Sequence, residues 1–258
     1  MRILLLSLFV GIFSSSISAQ NITGRAFYTS MYKFDDPDFD EEQLQDPRTQ
    51  ALAEQLKSGF QDQYQLDFTQ EESIFKKLAK LDKPAPKAGG ISISMSVVGD
   101  EEILYKNIKE NKLINETELY GKPFLIQDNI EARNWQLSKE SKTIGEYICF
   151  KATYLPNPNS NEESDNDSDQ KEIIAWYTPQ IPVKNGPKDY EGLPGLILEI
   201  QDGNLIFLCT KIVLNPDEAV VITKPTKGKK VSQKEFTAIL EKKNEEIMES
   251  FQTPKRRN

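Results

Sequence analysis

Apolar and polar positions alternate along most of this chain. Residues 24–33 set Ala26, Tyr28, Ser30 and Tyr32 on one parity and Phe27, Thr29, Met31 and Lys33 on the other, which predicts a first strand. The aspartate-rich run 34–42 cannot continue it. Asp46-Pro47 then offers an N-cap followed by a proline at the first helical position, and Leu52, Leu56 and Phe60 recur at helical spacing, predicting a short amphipathic helix. Strand patterns return at 64–69 and 73–78. Beyond a Pro/Gly loop at 83–90 they continue at 91–98, 103–108, 112–119 and 122–127, with polar turns between them. Short strands at that spacing predict an antiparallel meander.

The second half repeats the pattern. Two strands are expected on either side of Gly145, from Trp135 to Ala152, and a third at 171–178. The acidic, amide-rich stretch 157–170 reads as a surface loop. Pro179, Pro182, Asn185-Gly186 and Pro187 keep the chain extended or turning as far as Gly192, where two glycines and a proline make a turn that releases into an apolar strand. Strands 195–201 and 204–214 flank Asp202-Gly203, a two-residue hairpin signal that would set Ile200 against Leu205, Leu198 against Phe207 and Leu196 against Cys209. The opposite face, with Ile197 and Glu199, would be mixed. Ser232 to Glu235 forms a capping box ahead of an apolar stripe at Phe236, Ile239, Leu240, Ile247 and Phe251, predicting a closing helix that ends before Pro254. Strand outweighs helix, so the expectation is one α+β domain over 20–258: a large antiparallel sheet carrying a short helix from the N-terminal half and a C-terminal helix packed on it.

The N-terminus alters the setting. Arg2, an apolar run over 3–13 and a small-residue end at Ile17-Ser18-Ala19 have the order of a cleaved secretory signal, giving an exported, soluble product from about Gln20, periplasmic or extracellular. The run is too short to span a bilayer core of roughly 30 Å. Without residues 1–19 the net charge becomes one unit more negative than the −8 of the full chain, which argues against a general nucleic-acid binder. In an oxidising compartment Cys149 and Cys209 have one intramolecular pairing open to them; the other reading is two small buried hydrophobes.

Gly192-Leu193-Pro194-Gly195-Leu196-Ile197 is the signature of the GLPGLI family of exported bacterial proteins, and the chain resembles that family elsewhere too. The matching positions are Trp135, then Lys142, Gly145, Tyr147, Cys149, Lys151 and Ala152, then Trp176, Tyr177 and Pro182, then Gly186-Pro187. Glu146 departs from an expected second glycine, and the acidic stretch is longer than usual. The resemblance implies a periplasmic or surface protein with no established catalytic residues. It also implies a curved sheet, similar to the half-barrel of periplasmic lipoprotein carriers.

Chemistry is narrowed by a single count: there is no histidine. A Ser-His-Asp triad, a Cys-His pair and an HExxH zinc site are therefore excluded. Asp165, Asp167 and Asp169 begin like a calcium loop but lack its glycine and closing glutamate, and Asp36, Asp38 and Asp40 fail in the same way. No metal site or cofactor is expected. Ser73-Ile-Phe-Lys76 matches SxxK without its partner motifs, and on a strand its serine and lysine point to opposite faces. Two glycines near 192–195 could suggest an active-site loop, but no base, nucleophile or phosphate motif accompanies them, which leaves a structural corner. The expectation is a non-catalytic binding or accessory module for a hydrophobic ligand or an envelope protein. A carboxylate-dependent hydrolase and a structural envelope component are the alternatives.

Overall fold

The computed structural model describes residues 22–32, 61–79, 102–156 and 171–252. The expected signal at 1–19, the helix after Asp46-Pro47, the strand at 91–98, the acidic stretch 157–170 and both aspartate triplets lie outside these residues. Twelve strands are described: β1 (Gly24–Tyr32), β2 (Asp62–Phe68), β3 (Glu72–Lys77), β4 (Ile103–Asn107), β5 (Lys112–Leu119), β6 (Lys122–Asn129), β7 (Gln136–Ile144), β8 (Tyr147–Tyr154), β9 (Ile173–Thr178), β10 (Leu196–Asp202), β11 (Leu205–Leu214) and β12 (Lys229–Val231). One helix, α1 (Gln233–Gln252), follows. The strands form one open sheet in the order β12-β6-β5-β4-β3-β2-β1-β11-β10-β9-β8-β7. Two meanders, β1 to β6 and β7 to β11, are thus joined where β1 pairs with β11. The sheet is mixed and not wholly antiparallel, because β12 lies parallel to β6.

The hairpin of β10 and β11 corrects the expected register. Asp202 pairs with Leu205 and Ile200 with Phe207, so the loop is Gly203-Asn204 and not Asp202-Gly203. Gly203, at φ +54, takes the first loop position, where a two-residue hairpin can demand a glycine. Asp202 stays in the strand, and its carboxylate accepts the Tyr190 hydroxyl at 2.7 Å. A two-residue step keeps every side chain on its face, so the apolar face survives the shift. Ile197 is a second correction. Against β9, Ile197 pairs with Tyr177 and Glu199 with Trp176, so Leu198 is the extra residue of a bulge. Ile197 thereby takes the parity of Ile200 and is fully buried instead of lying on a mixed face.

Residues 179–195, between β9 and β10, form a strap across one face of the sheet. Ile181, Val183, Tyr190 and Leu193 are buried beneath or within it. It folds back on its own end: Leu196 N donates to Ile181 O at 2.9 Å, Ile197 N to Asn185 O at 3.0 Å and Gly192 N to Lys184 O at 3.2 Å. β4 lies five places from β10 in the sheet, about 24 Å at ~4.8 Å per strand. Even so, β3 and β4 reach the strap. Ser73 and Lys106 are cross-strand partners, and both point to it. Ser73 Oγ donates to Asn185 Oδ1 at 2.9 Å. Lys106 Nζ donates to Tyr190 O at 3.2 Å and Gly186 O at 3.4 Å. From β1, the Tyr28 hydroxyl donates to Ile197 O at 2.7 Å. Below the strap, Tyr64 stacks on Phe75 at 5.0 Å between ring centres and meets Phe207 edge-on at 5.4 Å. At the other end of the same face, Phe236 of α1 packs on Phe124 at 5.3 Å, with Leu119, Ile126 and Val231 around it. The capping box is formed, with Glu235 N donating to Ser232 Oγ and Ser232 N to Glu235 Oε2.

The glycines of the strap serve different constraints. Gly192 has φ +90, which side chains avoid. At Gly195 a Cβ would sit 2.1 Å from Thr178 O, and at Gly186 2.8 Å from Tyr190 O, the carbonyl that Lys106 binds. Gly195→Ala is therefore expected to cost about 3 kcal/mol or more in chemical denaturation, at the top of the overpacking range. Gly121→Ala, at φ +76 but in open space, serves as the control at about 1 kcal/mol. Equal losses at the two positions would mean that Gly195 is not held against Thr178.

Lys106 yields a second prediction. Burial lowers its ammonium from 10.5 to about 8; Glu191 and Asp189 act the other way, and Arg133 reinforces the fall. Between these values the unfolded chain carries the proton and the folded chain does not, so stability rises with pH across that window and the full penalty is present below it. Relative to Lys106→Met, the wild type should gain on the order of 2 kcal/mol between pH 8 and pH 10, read from urea midpoints. A pH-independent difference would contradict burial of the amine.

Candidate functional site

Where the strap turns near Pro187, it meets the ends of β8, β9, β10 and β11, and a cleft of about 340 Å³ opens there. Its walls are Glu131, Arg133, Tyr154, Pro156, Ile173, Lys188, Asp189, Tyr190, Asp202 and Leu205, mostly polar. Arg133, on the link between β6 and β7, is the keystone. Its Nη1 donates to Asp189 O at 2.8 Å and its Nη2 to the Asp189 carboxylate, while Cζ lies 4.9 Å over the Tyr190 ring. Burial acts to raise the Asp189 carboxyl, but the neighbouring guanidinium outweighs it and holds the group below the usual carboxylate range. Tyr190 is pushed well above its usual value by burial and by its hydrogen bond to Asp202. Two of the acids in the cleft are therefore already engaged.

Beneath the strap the polarity is enclosed. Glu191 is raised by burial against the pull of Lys106 and Arg133, and its Oε2 has no hydrogen-bond partner among the described residues. Asn185 Nδ2, in a fully buried residue, also lacks one among the described residues. The indole of Trp135 donates to Glu191 O at 2.8 Å and lies 5.7 Å from the Tyr154 ring, closing the wall between strap and cleft.

The residues singled out from the sequence divide into two groups. Trp135, Gly186, Pro187 and Gly192 to Ile197 meet at the strap. Lys142, Trp176 and Glu199 gather on the sheet itself: Lys142 Nζ lies 2.7 Å from Glu199 Oε2 and 4.4 Å over the Trp176 ring. Lys151 reaches Glu140 at 3.1 Å, Gly145 turns the β7–β8 hairpin at φ +60, and Ala152 and Tyr177 are core. Tyr147 packs partly buried against that core, and Pro182 is exposed on the strap. Cys149 and Cys209 are free thiols, both buried. Burial pushes them up to about 11 and about 12, so neither is a thiolate near neutral pH. Ser73 faces the strap, whereas Lys76 lies on the other face of β3. Among the described residues, no three acidic or cysteine side chains gather as a metal ion would require, and no helix is long and apolar enough to cross a membrane.

Sequence reasoning missed Lys106, Arg133 and Lys188. A signal existed for Lys106, which shares the parity of Leu104 on an apolar strand and so was due to face the core. Arg133 and Lys188 lie in irregular segments, where no periodicity marks a face.

Residues 156–199 match a family described as a protein of unknown function, Porph_ging. That window runs from the cleft wall at Pro156 through β9 and the strap into β10. No curated protein matches the chain. Among solved structures, the chain is similar to PNGF-II in its C2 crystal form, at 12% identity and a TM-score of 0.51, covering 85% of this chain and 32% of that one. The P21 form of PNGF-II gives 14% identity and a TM-score of 0.49 over 84% and 32%. The chain thus spans about a third of the length of these structures, and at this identity the likeness to the C2 form concerns the fold alone.

Proposed function

We propose that the protein is an exported, non-catalytic accessory module of the cell envelope, and that it recognises a segment of a partner protein in the cleft at Arg133, Tyr154 and Tyr190. The signal-like N-terminus and the GLPGLI signature, which lies inside the matched window 156–199, support export and kinship with that family. The observation that carries the binding reading is the cleft itself: about 340 Å³, within the range of ligand pockets, at a junction of four strand ends and the strap. Of the two occupants expected from the sequence, a protein segment suits it better than a hydrophobic ligand. The apolar face of the sheet is covered by the strap and α1, and the cleft walls are polar. The hydrolase alternative asks for an acid kept protonated at the cleft. Asp189 is instead held ionised by Arg133, Asp202 is bonded to Tyr190, and Glu191, the carboxyl that burial raises among the described residues, is buried.

A photo-crosslinking amino acid placed at position 154 should trap an adduct of one recurring mass in intact cells. The same group at Val221, which is 72% exposed, should not. Adducts that differ from one preparation to the next, or that form equally from both positions, would refute the cleft as the recognition site.

A further inference from the structure

We infer that the cleft takes a carboxylate group of its occupant and that Lys188 is the side chain that holds it, an inference that rests on the cleft being the recognition site. Lys188 is set apart first by its backbone. At φ +48 it lies in the left-handed region, where a residue with a Cβ is strained and glycine or asparagine would be at ease. The turn around it is closed by Tyr190 N donating to Pro187 O at 3.1 Å, so the conformation is imposed by the strap.

The charges around it set it apart next. Arg133 is matched by Asp189, and the Asp202 carboxylate accepts the Tyr190 hydroxyl. Glu131 is exposed at the rim. Among the described residues no carboxylate pairs with Lys188, whose Nζ lies 5.8 Å from the centre of the Phe207 ring. Of the two cations in the wall, Lys188 is thus the one without a carboxylate partner among the described residues, and it lies next to the half-buried faces of Tyr154 and Leu205 and the buried Ile173. A carboxylate of single charge with a short apolar stretch beside it completes this arrangement. A phosphate dianion would bring twice the charge against Glu131, Asp189 and Asp202. A cationic group would meet Lys188 and Arg133 and find Asp189 already paired.

The carboxylate has two sources of the same chemistry, the C-terminus of a partner chain and an aspartate or glutamate side chain within it. Calorimetric titration with three hexapeptides of one apolar sequence separates them: one ends in a free carboxylate, one is amidated with a single internal glutamate, and one is amidated and free of acid. One of the two acidic peptides should bind at least tenfold more tightly than the acid-free peptide. Lys188→Gly should abolish that advantage while the melting temperature stays level or rises, since glycine relieves the strain at φ +48. Equal binding of all three peptides, no binding of any, or an acid preference that persists in Lys188→Gly would overturn the inference. Tyr154→Ser tells this failure from failure of the cleft. Binding lost in Tyr154→Ser but indifferent to acid and to Lys188 overturns the carboxylate alone. Binding unchanged in both variants removes the cleft as well.

Discussion

A lysine amine sealed inside the protein and bonded to two backbone carbonyls is the constraint on which the strap depends. Lys106 has no exposed surface, and its partners, Gly186 O and Tyr190 O, both belong to the strap. Taking an ammonium out of water is costly, and that cost is recovered only where its protons find acceptors. The strap supplies them, and it can do so only while it lies flat on the sheet. Gly186 lets the Tyr190 carbonyl approach because it has no side chain. One interaction thus ties β4 to a segment that is contiguous with β10, across the middle of the sheet.

This changes the meaning of the glycine-rich signature. Such a run invites comparison with a mobile loop at an active site. Here it is part of the core: Leu193, Leu196 and Ile197 are buried, and Gly195 lies against the Thr178 backbone. Pro182, Lys184, Gly192 and Pro194 are exposed positions of the strap, while its turn at 187–190 reaches the cleft with Lys188 and Asp189 half-buried, held by Arg133 and Tyr190. The same geometry that buries one side of the strap presents Lys188 on the other, so recognition at the cleft depends on the fold beneath it.

Strand placement was largely legible in the sequence because alternation is a local signal. β5 falls on 112–119 as its pattern predicts, and β8 begins just past the Gly145 turn. The hairpin register was not legible. Both Asp202-Gly203 and Gly203-Asn204 suit a two-residue loop, and the choice is consistent with a contact remote in sequence, from Tyr190 to Asp202. Nor could alternation foresee the bulge at Leu198, which turns Ile197 toward the strap. The candidate site was hardest to see. Its charges come from three separate stretches, around 133, 188 and 202, that only the strand order brings together.

The claim that the strap belongs to the core is tested most directly by native-state hydrogen exchange. The amides of Gly192, Leu196 and Ile197 donate to carbonyls within the strap, at Lys184, Ile181 and Asn185. If the strap is locked to the sheet, these amides exchange as slowly as those of paired β1 and β11, through global unfolding. Fast exchange of Gly192 and Ile197 while β1 and β11 stay protected would show a strap that opens by itself, and would contradict the account.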